Sequence, residues 1–475
     1  MNGNSISETV SRFGVTEEDL KRTAAEALSA GGSYSDLYFE YTLANSLSLR
    51  DGAVNSVSSD VDFGMGVRVL SGDRTGYAYT ENITLADMLK VAGTAANIAN
   101  SKAGVPPIKI SSKTFKNYYP VEKQWENVSV KDKAPCLQKL NGRIFELDSS
   151  VCKVNVSLSD SSSYIMFFNS EGLLCCDYRP MVSLSAFCVM EKNGRIENGY
   201  CARSFRKGAE FLTDELVETI AGKAVELTSK MFSAVIPKGG EMPVVMAAGS
   251  SGILLHEAIG HSFEADFNRK KVSIFSDKYG QQVCDRSINI VDDGTLPENR
   301  GTINFDDEGI ESQKTYLVRE GKLSSYIHDR ISAEHYSVAP TGNGRRESFR
   351  HAPLPRMRVT YMENGNVPEE DIIASVKKGI YVDNFSNGEV QIGAGDFTFF
   401  VKSGYLIENG KLTQPVKDIN IIGNGPRALA DITMVGNNLK IDHSTWTCGK
   451  DGQGVPVSQG LPSVLVKKLI VGGAN

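Results

Sequence analysis

The stretch Gly252-Ile253-Leu254-Leu255-His256-Glu257-Ala258-Ile259-Gly260-His261 carries the densest chemistry in the chain and sits at a change of pattern. Before it, the apolar run Pro243 to Ala247 predicts a short strand. After it comes a Gly-rich tail in which alternating runs recur around Glu320-Gly321-Lys322 and Glu408-Asn409-Gly410-Lys411. Turns of that composition favour antiparallel hairpins over βαβ crossovers. One helix set into strand-forming sequence predicts an α+β fold with a β-rich C-terminal domain.

Within that stretch, two of the chain's six histidines stand five positions apart with an acid directly after the first, the pattern HExxxH. Two imidazoles at i and i+4 lie ~40° apart around an α-helix and can share one metal ion, while the intervening Glu serves as general base. One extra residue moves His256 and His261 to ~140° apart on an ideal α-helix, too far round to chelate together. A shared metal therefore predicts an irregularity between Glu257 and His261. It would be either a π-bulge, whose i→i+5 bonding widens the turn, or an opening at Gly260.

Two imidazoles leave a catalytic Zn²⁺ site one protein ligand short. Cys448, in Thr447-Cys448-Gly449-Lys450-Asp451-Gly452, is the leading candidate, because glycines let the backbone approach a metal and Lys450 favours a thiolate. His351, His443 and Asp266 remain alternatives. A His2Cys set with an open position suits zinc, with Glu257 accepting a proton from water.

Upstream, Thr16 with Asp19 forms a capping-box pattern ahead of a helix to Ala30, and Thr84 caps a second helix over Leu85 to Ala99. Between them lie strand segments Leu37 to Tyr41, Leu47 to Arg50, Gly64 to Leu70 and Thr75 to Tyr79. Ala103 to Val128 loses period and gains Pro106, Pro107 and Pro120, which reads as a surface connection. A helix over Lys131 to Leu147 follows. Strands Lys153 to Leu158, Tyr164 to Phe168, Leu173 to Tyr178 and Ser183 to Glu191 come next, then a helix from Thr213. The expected organisation is an N-terminal α+β domain over 1–110, a middle domain over 111–236 and a β-rich C-terminal metalloprotease domain over 237–475.

The composition, 41% hydrophobic and 23% charged over 475 residues, is that of a folded soluble protein. A net charge of −6 without a basic run argues against direct nucleic-acid binding. No apolar stretch of ~18 residues predicts a membrane span, and no secretory signal opens the chain, so the expected location is cytoplasmic. Eight cysteines in a chain of this length are too sparse for a disulfide scaffold.

With the segments LLHEAIGHSFEADFNR (254–269), VDDGTLPENRG (291–301), TGNGRRESF (341–349), PLPRM (353–357), YLIENGK (405–411), MVGNNLKID (434–442) and CGKDGQGVPV (448–457), the chain resembles the TldD/PmbA family, also called modulators of DNA gyrase. The resemblance implies a metallopeptidase of the TldD branch, with His256, His261 and Cys448 as zinc ligands and Glu257 as catalyst. It also implies a dimer enclosing the active site, so that only unfolded peptides enter, formed either with a second copy or with a PmbA-like (TldE-type) subunit that lacks the metal motif. The rival reading is a non-catalytic regulatory or partner subunit with a structural metal site.

Three further motifs complete the expectations. Arg345 and Arg346, in Gly342-Asn343-Gly344-Arg345-Arg346-Glu347, are expected as a substrate clamp, and His351 as a donor to the tetrahedral oxyanion. Asp292-Asp293-Gly294 and Asp306-Asp307-Glu308-Gly309 read as tight turns rather than cation sites. Gly423-Asn424-Gly425-Pro426-Arg427-Ala428 fits a loosened dinucleotide fingerprint but lacks the surrounding βαβ unit.

Overall fold

The computed structural model describes residues 6–99 and 107–473. The first five positions and residues 103–106 of the expected connection lie outside the described residues.

The first large sheet runs Arg74–Thr80, Ala53–Ser71, Tyr34–Arg50, Val151–Asn169, Leu173–Lys192, with Arg195–Phe205 added to the last and the two-residue strand Ser111–Ser112 beside it. Its members are longer than the sequence segments suggested. The expected pairs Lys153 to Leu158 and Tyr164 to Phe168 are one 19-residue strand, and Leu173 to Tyr178 and Ser183 to Glu191 are one of 20 residues. The alternation breaks at mid-strand because polar residues pair across the ladder there. Thr42 Oγ1 donates to Ser163 Oγ at 2.8 Å, and Asn45 Nδ2 to Asp160 Oδ1 at 2.9 Å.

This sheet spans the expected division at residue 110. Tyr34–Arg50 pairs with Val151–Asn169 from Asp36↔Asn169 to Arg50↔Asn155, so the two expected domains share one sheet. Two helix pairs cover the same face at opposite ends of the strands. Glu17–Leu28 and Leu85–Ala96 bury Leu20, Ala24, Met88 and Ala92 against Leu37, Phe39 and Val67. Val130–Leu147 and Asp214–Met231 bury Leu137, Leu140, Ile220 and Ala224 against Leu49, Val156 and Leu184. Both helix pairs begin at side-chain caps, including the Thr16/Asp19 capping box.

The described part of the connection after residue 106 is anchored rather than loose, because two of its large aromatics, Tyr119 and Trp125, reach polar partners below the surface. Tyr119 donates to Asp177 Oδ2 at 2.6 Å and Trp125 Nε1 to the Lys207 carbonyl at 2.7 Å, both rings being buried.

In the C-terminal part, Lys378–Gln391, Gly240–Met246, Val464–Gly472, Ile419–Asn424 and Asp396–Glu408 pair in that order. The first and last also pair with each other, which closes a barrel. Beside it stands a six-stranded sheet ordered Lys322–Leu323, Lys314–Arg319, Ile290–Asp293, Val359–Met362, Ser458–Leu461, Lys440–Ile441. The hairpins at Glu320-Gly321 and Asn409-Gly410 form with left-handed turn residues (φ 49° and 73°, 51° and 75°). Two parallel pairs, Val359–Met362 with Ser458–Leu461 and Lys378–Gln391 with Gly240–Met246, depart from the antiparallel expectation. The Gly425–Ala430 segment is a short helix after a strand, yet that strand's neighbours are antiparallel, so the dinucleotide geometry is not built. One core, from Leu254 and Phe263 through Ile290 and Leu461 to Phe399 and Val466, joins barrel, sheet and histidine segment.

The two halves meet across buried ion pairs. Arg68 bridges Asp36 and Glu308, Arg179 bridges Asp177 and Asp307, and Arg346 reaches Asp36 at 3.3 Å. Asp306 to Gly309 is the expected tight turn, with Gly309 at φ 78°, and its acids carry this contact.

Candidate metal centre

After the Gly240–Met246 strand, Gly249 (φ 96°) turns the chain into a composite helix. A 3₁₀ turn over Ser250–Gly252 leads into an α-turn Ile253–Leu255, a π-turn His256–Gly260 and a second 3₁₀ turn His261–Phe263. The irregularity expected from the five-residue spacing is therefore present, and it is the π form. It brings the two imidazoles back to one side, their ring centres 5.1 Å apart and their planes at 81°. Leu254, Leu255 and Ile259 drive the segment inward, each at most 1% exposed, so both rings are buried with it. Gly260 is needed for this packing, because a Cβ there would meet Met357 Sδ at 2.1 Å.

Cys448 comes from the other side. It lies in the hairpin Thr447–Lys450 with Gln453–Pro456, turned by Asp451-Gly452 (φ 50° and 74°). Arg356 donates to the carbonyls of Cys448 and Gln453 and so fixes the hairpin's backbone. Cys448 Sγ stands 3.4 Å from His261 Nε2, and one ligand atom from each of His256, His261 and Cys448 lies within 4.8 Å of the others.

Burial pushes the Cys448 thiol up, but the two imidazoles outweigh it and hold the thiol well below its ordinary range. Burial likewise pushes His261 down, whereas the Glu264 carboxylate and the Cys448 sulfur hold it well above its usual value. A thiolate and two imidazoles, buried together with His256 Nδ1 lacking a hydrogen-bond partner, form a donor set that fits a zinc ion. Glu257 is the half-exposed member of the group, its Oε2 3.9 Å from His261 Nε2. The Lys378–Gln391 strand passes beside it, since a Cβ on Gly388 would stand 3.5 Å from Glu257 Cγ.

The other sequence candidates separate clearly. Asp266 is bound by Lys450 Nζ at 2.7 Å, and His443 stacks on Phe205 with ring centres 4.6 Å apart, so neither completes the triad. Lys450 points to acids rather than to the sulfur, meeting Glu264 at 3.1 Å as well. The substrate clamp is corrected. Arg345 donates to the carbonyls of Met357 and Pro456, and Arg346 to Asp36, the Asp307 carbonyl and Tyr77, so both guanidinium groups are spent on internal acceptors. Tertiary packing makes them struts. His351 is half-buried in a loop that lies on the Cys448 hairpin, where Gln453 donates to the Ala352 carbonyl and Lys450 to that of Pro355.

Sequence reasoning missed Glu264 and Arg356. A carboxylate three positions after His261 was a usable signal, whereas nothing in the local pattern marked Arg356. A cavity of about 510 Å³ lined by Glu389, Asp396, Arg427 and Lys468 contains none of the three clustered side chains, so donor chemistry rather than volume identifies the site.

Comparison with known proteins finds metalloprotease relatives along the chain. Family models described as PmbA/TldA metallopeptidase domain 1, central domain and C-terminal domain match residues 35–99, 123–232 and 239–473. The chain is 39% identical over 452 residues to a metalloprotease TldD homologue of Haemophilus influenzae, covering 93% of each chain. It is 28% identical to a zinc metalloprotease TldD homologue of Saccharolobus solfataricus, over 94% of this chain and 98% of that one. The crystal structure of TldE from Thermococcus kodakarensis superposes with a TM-score of 0.74 at 18% identity, over 96% and 99% of the two chains, and so shares the fold. A three-domain α+β architecture, matched along nearly its whole length, places this chain in the PmbA/TldD family of metallopeptidases.

Proposed function

We propose that the chain is a cytoplasmic zinc-dependent peptidase of the TldD type that hydrolyses unfolded peptides. The observation that carries this reading is the meeting of His256, His261 and Cys448 within 4.8 Å beside a half-exposed Glu257. Zinc held by those three side chains would supply Lewis acidity, polarising a scissile carbonyl and making water easier to deprotonate. Glu257 Oε2 takes the proton of the attacking water and returns it to the leaving amine nitrogen. His351, on the loop over the Cys448 hairpin, donates to the oxyanion.

Among the described residues the group has three donors, whereas a structural zinc site closes with four, which favours catalysis over the regulatory-subunit reading. The dimer that encloses such a site would pair this chain with itself or with a TldE-type subunit. The decisive experiment compares the parent with Glu257→Ala for zinc content and for cleavage of an unstructured peptide. The variant should keep its zinc and lose cleavage, and equal turnover in both would end the proposal.

A further inference from the structure

His261 is gripped on both ring nitrogens, and His256 is not. Its Nδ1 lies 3.1 Å from Glu264 Oε2 while its Nε2 faces the Cys448 sulfur, whereas His256 Nδ1 has no hydrogen-bond partner. A carboxylate on Nδ1 selects the tautomer that carries its proton there and leaves the Nε2 lone pair for a ligand. Glu264 is fully buried, and the same oxygen accepts from Lys450 Nζ at 3.1 Å. Lys450 also donates to Asp266 Oδ1 at 2.7 Å and to the Pro355 carbonyl at 3.1 Å, with its ammonium 4.3 Å from the centre of the Phe267 ring.

Lys450 thus has every donor direction occupied and lies two positions beyond Cys448 in the same hairpin strand. Lys450 and Asp266 are 184 positions apart, so this contact joins the two segments that bring sulfur and imidazoles together. A buried ion cluster of this kind adds little net stability compared with apolar packing, so stability does not account for its position. What it fixes is the relative placement of two ligand-bearing elements.

We propose that Glu264, Lys450 and Asp266 form a positioning device for the metal site. Glu264 sets the His261 ring with Nε2 toward Cys448, and Lys450, by binding Glu264 and Asp266, registers the cysteine hairpin against the histidine segment before a metal arrives. The inference rests on the metal-site reading above and adds the residues that preassemble it.

The test uses the full chain with Glu264→Gln, Lys450→Met and the double variant. Zinc affinity is read by competition with a chelator, and the thiolate-to-metal charge-transfer band is read after cobalt(II) substitution. Each single variant should bind zinc roughly tenfold to a hundredfold more weakly, with a diminished cobalt–thiolate band. The double variant should lose less than the two single losses multiplied, because both act through one contact. Lys450→Arg keeps the charge and should recover part of the affinity. Folding is controlled by the metal-free unfolding midpoint, with near-isosteric Glu264→Gln serving if Lys450→Met fails to fold. A folded Glu264→Gln whose zinc affinity stays within about twofold of the parent, well short of the expected range, would overturn the positioning role. A parent chain that binds neither zinc nor cobalt would instead overturn the metal-site reading.

Discussion

Gly260 offers a test in which two opposing magnitudes decide the sign. The residue has ordinary helical backbone angles (φ −59°, ψ −49°), so a helix-propensity argument expects Gly260→Ala to stabilise by up to about 1 kcal/mol. The tertiary structure argues the reverse. An added Cβ would stand 2.1 Å from Met357 Sδ, 3.1 Å from its Cε and 3.0 Å from the Leu255 carbonyl oxygen, and Met357 is fully buried. A methionine can yield, but its neighbours are close-packed, and overfilling such a core costs about 1–3 kcal/mol. The Leu255 oxygen belongs to the turn that carries His256 and cannot swing away alone.

The net expectation is a loss of about 1–2 kcal/mol from those two terms, together with weaker zinc binding, because the displacement falls between the two histidines. Denaturant unfolding and a zinc titration measure both effects. Met357→Ala alone should cost about 2–5 kcal/mol. The double variant should cost at least about 1 kcal/mol less than the sum, since the sulfur that obstructs the new methyl group is gone. A Gly260→Ala chain that unfolds later than the parent and binds zinc equally well would refute the reasoning.

Arg68 lies fully buried between Asp36 and Glu308, so Arg68→Met leaves Glu308 without its ion-pair partner and Asp36 with Arg346 alone in the contact between the halves; a loss of about 3–5 kcal/mol is expected, and a denaturation loss under about 1 kcal/mol would count against the ion-pair contact. Burial pushes the Glu40 carboxyl up to about 7 against the hydrogen bonds from Thr42 and the Phe349 N–H, which pull it down. The folded chain therefore holds a proton there that the unfolded chain releases near 4.5, and the stability from that proton is complete below 4.5 and lost as pH rises through about 7. Glu40→Gln, neutral throughout, should gain on the parent across that window by roughly 3 kcal/mol, and unfolding midpoints at about pH 5 and pH 8 that differ equally for both chains would contradict this.

Much of the architecture was readable in local pattern. The capped helices from Thr16, Thr84 and Thr213 and the two Gly-turn hairpins depend on contacts within a few residues, and they appear where expected. The long strands were legible only in pieces, because Ser161, Ser162 and Ser163 look like a loop until Tyr34–Arg50 is laid beside them. The anchors of the surface connection were illegible for a similar reason, since Tyr119 and Trp125 find partners 58 and 82 positions away. Arg345 and Arg346 looked available for substrate because polar residues among glycines resemble an exposed loop. Their acceptors, in Asp36, Met357 and Pro456, come from elements that no local window contains.

Sequence alone settled the chemistry on offer and its constraint. HExxxH could share a metal only through an irregular helix, either widened or opened at Gly260, a consequence of helix geometry that needs no partner, and His256 to Gly260 adopts the widened form. For the third side chain the sequence ranked Cys448 ahead of His351, His443 and Asp266, but whether it reaches the pair depended on the hairpin, the barrel and the shared core that fix the distances. Spacing along a chain constrains angles over one or two turns of helix. The meeting of groups 187 positions apart is decided by the burial of everything between them.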